Sequence, residues 1–482
     1  MKHRSRLSLL VAAALLGACA VGPDYQRPAV QVPASYKESF AGWKTAEPRD
    51  HLPGEAWWKS YGDARLDELQ AQAASANQNI QLAEAHYRQA QALSASARSA
   101  LYPSLSADAA ALRSKRSSNG NNSGLKNSQG VGNNYSALLT AGWEVDLWGR
   151  VKRSVEAGDA GMTASAADLA AARLSVQAIL AEDYFQLRIF DTQQKLFNDT
   201  VATYERSLTL TKNRYAVGLA TRSDVAQAEA QLRATRALAI DNSVQRTQLE
   251  HAIAVLLGKA PAEFELAVAP FEDIKRVALP DIPASLPSEL LERRPDIAAA
   301  ERRAAAANAE IGVAKAALFP TITLSATGGY QSTSLGDLVT VPSRIWSLGP
   351  LLAASLFDGG LRQAQTNAAI AVYDANVASY KQTVLNGFQE VEDNLAALRL
   401  LEQEGGELDS AVRFARESVQ QTVNRYKAGT EDYLSVVTVQ NTALLDERAA
   451  VGVLGRRLTA SVGLFKALGG SAELAPEFRV PR

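Results

Sequence analysis

The chain carries one long pattern twice, about 210 residues apart. Ala100-Leu101-Tyr102-Pro103-Ser104-Leu105-Ser106 in the first half returns as Ala317-Leu318-Phe319-Pro320-Thr321-Ile322-Thr323 in the second. Ile80 and Glu84 stand in the register of Ile297 and Glu301, and Arg214-Tyr215-Ala216-Val217-Gly218 recurs as Arg425-Tyr426-Lys427-Ala428-Gly429. The spacing is far longer than the unit of a solenoid, so the fold must carry internal pseudo-symmetry. Each copy reads as two long helical stretches flanking one β-hairpin.

The first residues read as a targeting signal. Lys2, Arg4 and Arg6 precede the apolar run Leu7 to Leu16, about ten residues, which is too short to span a bilayer as a helix. Leu16-Gly17-Ala18-Cys19 then resembles a bacterial lipobox, in which the cysteine thiol takes a diacylglycerol, the new N-terminus takes an acyl chain, and residues 1–18 are removed. Cys19 is the only cysteine, which excludes disulfides within the chain. Ala20 follows, rather than an aspartate that would retain the lipoprotein at the inner membrane, so the outer membrane is expected. A net charge of −1 over 482 residues carries no nucleic-acid footprint. No later apolar run is long enough for a transmembrane helix, so a chain that crosses a membrane must do so with strands.

Residues 19–63 hold Pro23, Pro28, Pro33, Pro48 and Pro53, and read as an extended segment lying against another surface. Helical periodicity begins near Asp63, with Leu66, Leu69, Ala73, Ile80 and Ala83, and Pro103 and Pro320 each stop a helix. Strands follow. Tyr135, Ala137, Leu139, Ala141, Trp143, Val145 and Leu147 alternate with Ser136, Thr140, Gly142, Glu144 and Asp146, and only Leu138 is apolar in the second set. Ile322, Leu324, Ala326 and Tyr330 alternate with Thr321, Thr323, Ser325 and Thr327; Trp346, Leu348, Leu352, Ala354 and Leu356 alternate with Ser347, Gly349 and Ser355. This is the pattern of a barrel with lipid outside and water inside, and locally it also fits a soluble sheet with one wet face. On the barrel reading Glu144, Asp146 and Ser347 line the lumen. The Ser/Asn/Gly-rich stretch from Ser114 to Asn134 suits an exposed loop.

Long alanine-rich helices run from about Gly149 to Tyr215 and from about Gly360 to Tyr426 without an interior proline. Some 66 residues at ~1.5 Å make roughly 100 Å of helix. Both end in matching turns whose glycines, Gly218 and Gly429, can reverse the chain in the left-handed conformation. Return helices run to about Leu257 and Leu468. The first repeat is thus 64–260, with a hairpin at about 102–148 and a tip turn at 215–223; the second is 289–470, with a hairpin at about 320–358 and a tip turn at 426–432. Residues 261–288 link them and 471–482 form a tail. Four strands cannot close a barrel, and an open edge is not tolerated in lipid, so a spanning chain must oligomerise. Two copies give eight strands and three give twelve.

Several motifs then agree in order and spacing. Cys19-Ala20-Val21-Gly22-Pro23-Asp24-Tyr25-Gln26-Arg27-Pro28, Trp57-Trp58-Lys59-Ser60-Tyr61-Gly62-Asp63, Gln389-Glu390-Val391-Glu392-Asp393 and the paired Arg-Tyr-x-x-Gly turns resemble the TolC family of outer-membrane efflux lipoproteins, in the branch typified by OprM. The resemblance covers essentially the whole mature chain. It implies a mixed α/β membrane protein, a homotrimeric channel in which a shared twelve-stranded β-barrel continues into a long periplasmic α-helical barrel closed at its mouth. It also implies two partners, a periplasmic adaptor and an inner-membrane transporter, commonly of the resistance-nodulation-division class.

No bond is made or broken in such a duct, and no catalytic residue, metal site or cofactor is expected beyond the lipid on Cys19. His3, His51, His86 and His251 lack metal-ligand spacing, and no GxSxG or phosphate-cradling loop appears. The resemblance assigns adaptor docking to Val217-Gly218-Leu219 and Ala428-Gly429-Thr430, where glycine lets a partner backbone approach closely. It assigns the gate to Leu434, helped by Tyr433. The aspartate and arginine that usually follow are Thr438 and Asn441 here, so an apolar constriction that hinders ions by dewetting is expected instead. The alternatives are a surface lipoprotein with a helical stalk, and the outer-membrane component of a protein-secretion system.

Overall fold

A computed structural model describes residues 20–38, 56–115, 131–272, 279–280 and 293–470. Cys19 and the loop between the first two strands, residues 116–130, lie outside the described residues. In chain order the elements are α1 (Ala64–Ala76), α2 (Gln78–Ser99), β1 (Ser104–Lys115), β2 (Val131–Glu144), α3 (Arg150–Ala216), α4 (Arg222–Leu256), α5 (Pro295–Ala316), β3 (Thr321–Ser332), β4 (Arg344–Ala353), α6 (Leu361–Ala428) and α7 (Tyr433–Ala467). No described helix is long and apolar enough to cross a membrane. The chain divides into two compact units: Met1–Ala29, His86–Ala166 and Ala299–Tyr380 in one, and Val30–Ala85, Ala167–Ala298 and Lys381–Arg482 in the other.

The first unit holds an antiparallel sheet in the order β1-β2-β3-β4, so β1 and β4 each pair on one side only. Helices α2 and α5 already end at Ser99 and Ala316 through turn hydrogen bonds. Pro103 and Pro320 therefore mark entry into β1 and β3 rather than the last helical turn, because proline pushes the residue before it into extended backbone. The register places Ser106, Thr140, Thr327 and Ser347 in one row and Ala107, Leu139, Gly328 and Trp346 in the next. Adjacent rows face opposite ways, giving one polar and one apolar face. Leu348 and Trp346 are 67% and 79% exposed on the apolar face of the single chain, which therefore needs a non-aqueous neighbour.

Two carboxylates expected in the polar lining are paired at the end of β2 and just beyond it. The Asp146 carboxylate accepts from the Val151 and Lys152 amides at 3.0 and 2.8 Å, filling donors that the first turn of α3 leaves free. Arg150 donates to both oxygens of Glu144 at 2.8 and 2.6 Å. Asp358 does the equivalent before α6, accepting from the Gly360 amide and Arg362. The reason lies in chain position: β2 ends at Glu144, so Asp146 sits where a helix must start.

The first described residues form a strap against α3 and α5. Val21 donates its amide to the Trp148 carbonyl at 3.0 Å, Asp24 pairs with buried Arg153 at 2.8 Å, and Asn308 donates to the Pro23 carbonyl at 3.0 Å. Gly22 lies so close to Gly312 that a Cβ on it would stand 2.6 Å from the Gly312 Cα. Tyr25 donates its hydroxyl to Glu301 at 2.6 Å, and burial, then that bond, hold the phenol protonated far above its ordinary range. Glu84, the repeat mate of Glu301, instead takes a bond from Arg173 at 2.7 Å. The duplication supplied the carboxylate and the strap gave one copy a new partner. Tyr25→Phe removes a hydroxyl donor from Glu301, which is 2% exposed, and should cost about 1.5 kcal/mol. Faster hydrogen exchange across residues 20–29 reads this directly; unchanged exchange would mean that the bond does not hold the strap.

In the second unit the core gathers Trp57, Leu66, Leu69, Leu180, Leu187, Ile189, Leu257 and Phe465, with Trp57 and Phe465 stacked at 5.2 Å. The helical stretch read as continuous from Asp63 breaks at Asn77. Its side chain accepts from the Asn79 and Ile80 amides and donates to the Leu256 carbonyl at 2.8 Å, so it caps α2 and ties it to α4. The Gln389–Asp393 motif joins two incoming segments. Glu390 holds Arg294 at 2.6 Å, Val391 is fully buried, and Glu392 accepts the Lys37 and Glu38 amides at 2.7 and 3.0 Å.

Candidate functional site: the paired helix-turn tips

The long helices stop because the chain ends each with a left-handed glycine. Gly218 has φ +77° and Gly429 φ +82°. At each tip two amides fold back on the last helical turn: Gly218 to the Tyr215 carbonyl and Leu219 to Arg214, and Gly429 to Tyr426 and Thr430 to Arg425, all between 2.8 and 3.1 Å. This closure satisfies carbonyls that a helix end leaves unpaired. The return helices start equally cleanly. Thr221 and Asp224 form a reciprocal capping box on α4. Asp432 accepts the Ser435 amide at 2.8 Å on α7, and that bond holds its carboxyl below the usual range. A depressed carboxylate favours the fold above the ordinary carboxylate range, and the cap is lost only as pH falls through its own lower pKa.

All six docking candidates are exposed. Val217 and Leu219 reach 70% and 68%, flanking a glycine on which a Cβ would meet nothing within 4 Å. Ala428, Gly429 and Thr430 present a second small-residue turn. The tips thus offer bare backbone beside two isolated apolar side chains, a shape that accepts the end of another helical hairpin.

The two gate candidates part company. Leu434 is 55% exposed, whereas Tyr433 is 2% exposed inside a tip core with Tyr204, Leu208, Val225, Leu232, Tyr426 and Val436. Tyr433 meets Tyr426 edge-on at 5.4 Å, and burial, then its tyrosine neighbours, push its pKa up to about 12, so it stays a neutral phenol. Tyr433 therefore does not line an opening in this structure: it fixes the first turn of α7 from inside and so positions Leu434. Thr438, one turn on, donates to the Leu434 carbonyl at 2.9 Å and is spent on its own helix. Asn441 accepts from Gln231 at 3.3 Å, and Gln231 also reaches Gln440.

Arg214 was not among the site residues read from sequence. From the first tip it donates to the Tyr426 and Lys427 carbonyls of the second at 3.1 and 3.3 Å, its guanidinium 4.7 Å from the Tyr426 ring centre. One side chain thus fastens α3 to the end of α6. The signal lay in the duplicated Arg-Tyr pair, but only the packing shows that one arginine crosses while its mate, Arg425, pairs with Glu431 at 2.8 Å. Arg214→Gln should weaken this link by about 2 kcal/mol, since guanidinium bonds to carbonyls exceed neutral ones. Faster hydrogen exchange at residues 425–430 with α1 unchanged is the expected reading.

No group of described residues could hold a metal ion. A sheet with one polar and one apolar face, and helices of about 100 Å that end in capped, exposed turns, are the elements expected of a membrane channel that crosses lipid with strands. The comparisons specify which kind. The chain belongs to the outer membrane efflux protein family, whose profile matches residues 64–259 and 286–470. It is 32% identical to the pyoverdine export outer membrane protein OpmQ of Pseudomonas aeruginosa, over 96% of each chain. It is 34% identical to the outer membrane protein OprJ of the same organism, over 96% of this chain and 95% of OprJ. The structure of the outer-membrane channel OprN superposes with a TM-score of 0.87 at 31% identity, covering 94% of this chain and 99% of that one. The protein is an outer-membrane efflux channel of a Gram-negative bacterium that extends into the periplasm, and the family is one of channels rather than enzymes.

Proposed function

We propose that three copies of this chain form the exit duct of a tripartite efflux pump, passing small toxic compounds from an inner-membrane transporter and a periplasmic adaptor to the exterior without bond chemistry. The observation that carries this reading is the four-stranded sheet with its two singly paired edges and one apolar face. Such a sheet is stable in lipid only when β1 of one copy meets β4 of the next. Three copies give twelve strands, the number that the OprM-like motifs imply. The adaptor meets the tips at Val217-Gly218-Leu219 and Ala428-Gly429-Thr430, and Leu434 from each copy narrows the mouth. The transporter is of the resistance-nodulation-division class, as the OprM-like motifs imply. A diacylglycerol and an N-acyl chain on Cys19 add an anchor to the barrel; one lipidated residue tethers and does not span.

The test is the susceptibility of a deletion strain to antibiotics, dyes, detergents, solvents and metal ions, complemented with wild type or with Cys19→Ala. Sensitisation reversed by wild type supports the duct, and the compounds concerned give its substrate class. Absence of sensitisation in a strain also lacking parallel pumps overturns the reading. Loss of complementation with Cys19→Ala would make the lipid essential; full complementation makes it an accessory tether.

A further inference from the structure

The wet face of the sheet is almost free of charge. Following the register outward from Ser104, it presents Ser106, Asp108, Ser136, Thr140, Thr323, Ser325, Thr327 and Gln331, with Leu138, Gly329 and Ile345 in the row of Asp108. Bonds along this face confirm the assignment: Gln331 donates to Asn134 at 3.1 Å and Ser106 to Asp108 at 3.4 Å. Its two carboxylates differ in kind. Glu144 is neutralised by Arg150 at 2.6 Å, whereas Asp108 is exposed in the middle of β1 and its row mates are apolar or glycine. Arg113, Lys115 and Arg344 fall on the opposite face, and among the described residues the wet face holds no lysine or arginine.

We infer that Asp108 sets the charge preference of the channel: one from each copy forms a level of three carboxylates that favours cationic over anionic solutes at the exit. This rests on the trimeric duct. Twelve strands at ~4.8 Å spacing and ~40° tilt make a barrel roughly 24 Å across, so each charge stands about 12 Å from the axis. Through water with a Debye length of ~30 Å, three such charges enrich a monovalent cation at the axis about threefold and deplete an anion equally, about a tenfold preference. At ~1 M salt the Debye length is ~3 Å and the preference vanishes. A charge filter in a narrow mouth would survive that salt, because a permeating ion cannot stay a Debye length from its walls.

The experiment is the reversal potential of full-length trimers in planar bilayers under KCl gradients centred near ~0.01 M and near ~1 M, for wild type, Asp108→Asn and Asp108→Lys. Asp108 is exposed, so neither substitution disturbs packing. The expected result is K+ preference in wild type at low salt, a ratio near one for Asp108→Asn, inversion for Asp108→Lys, and convergence of all three at high salt. A wild-type reversal potential for Asp108→Asn, or a preference that persists at high salt, overturns the inference and leaves the duct standing. Absence of any conductance from the wild-type trimer and from Leu434→Ser alike overturns the duct reading and this inference with it.

Discussion

Replacing Gly218 and Gly429 together by phenylalanine should reduce drug tolerance to that of a deletion strain while leaving the assembled channel intact. The separation of the two effects follows from magnitudes. Both glycines sit at positive φ, where any L-residue costs roughly 1–2 kcal/mol. No steric penalty adds to that. A Cβ at Gly218 meets nothing within 4 Å, and one at Gly429 only the tip of the Arg214 side chain at 3.9 Å. A total of about 2–4 kcal/mol, confined to two exposed turns, frays the tips and does not unfold a domain core held by Trp57, Tyr184 and Phe465. An incoming helical hairpin, by contrast, meets a bulky ring where it had bare backbone. Heat-modifiable gel mobility checks assembly, and drug susceptibility checks efflux. Loss of the assembled form would make the glycines structural and remove the docking assignment. Gly218→Asn with Gly429→Asn, which tolerates the left-handed conformation, should retain much of the efflux.

Leu434→Ser should raise resting conductance at least about tenfold, since a dewetted constriction turned polar refills with water. The substitution is safe for the fold. Leu434 is 55% exposed in the protomer, and its neighbour Tyr433 continues to hold the first turn of α7 in the tip core. Tyr433→Ala is the informative contrast. It empties a site packed by Tyr204, Tyr426, Val225 and Val436, and should cost about 3–5 kcal/mol, as large-to-small changes of a buried ring do. Conductance of the tyrosine variant therefore rises through a loosened tip, visible as faster hydrogen exchange, whereas the leucine variant conducts with tip exchange unchanged. Unaltered conductance for Leu434→Ser would take that residue out of the gate.

Much of this architecture was legible in the residues themselves. Period-two alternation around Tyr135–Trp143 and Ile322–Tyr330, unbroken helical periodicity through α3 and α6, and a glycine after each Arg-Tyr pair are local signals. Local signals suffice because pleat, helix and left-handed turn are decided by a residue and its few nearest neighbours in sequence. The helix break at Asn77 was missed for a related reason. Asparagine sits inside an otherwise helical pattern, and what turns it into a cap is the Leu256 carbonyl, 179 residues away.

Local chemistry determined the elements, their lengths and the two-fold repetition; tertiary structure alone decided which side chains became the site. Arg214 became the fastener between tips, Arg425 paired with its own turn, and Tyr433 was drawn inside while Leu434 stayed out. Glu301 gained the strap where Glu84 gained an arginine on its neighbouring helix. Each pair of residues began with the same or similar chemistry. They diverged because packing joins segments more than 200 residues apart, and the burial and partner of a side chain are properties of that meeting rather than of its place in the pattern.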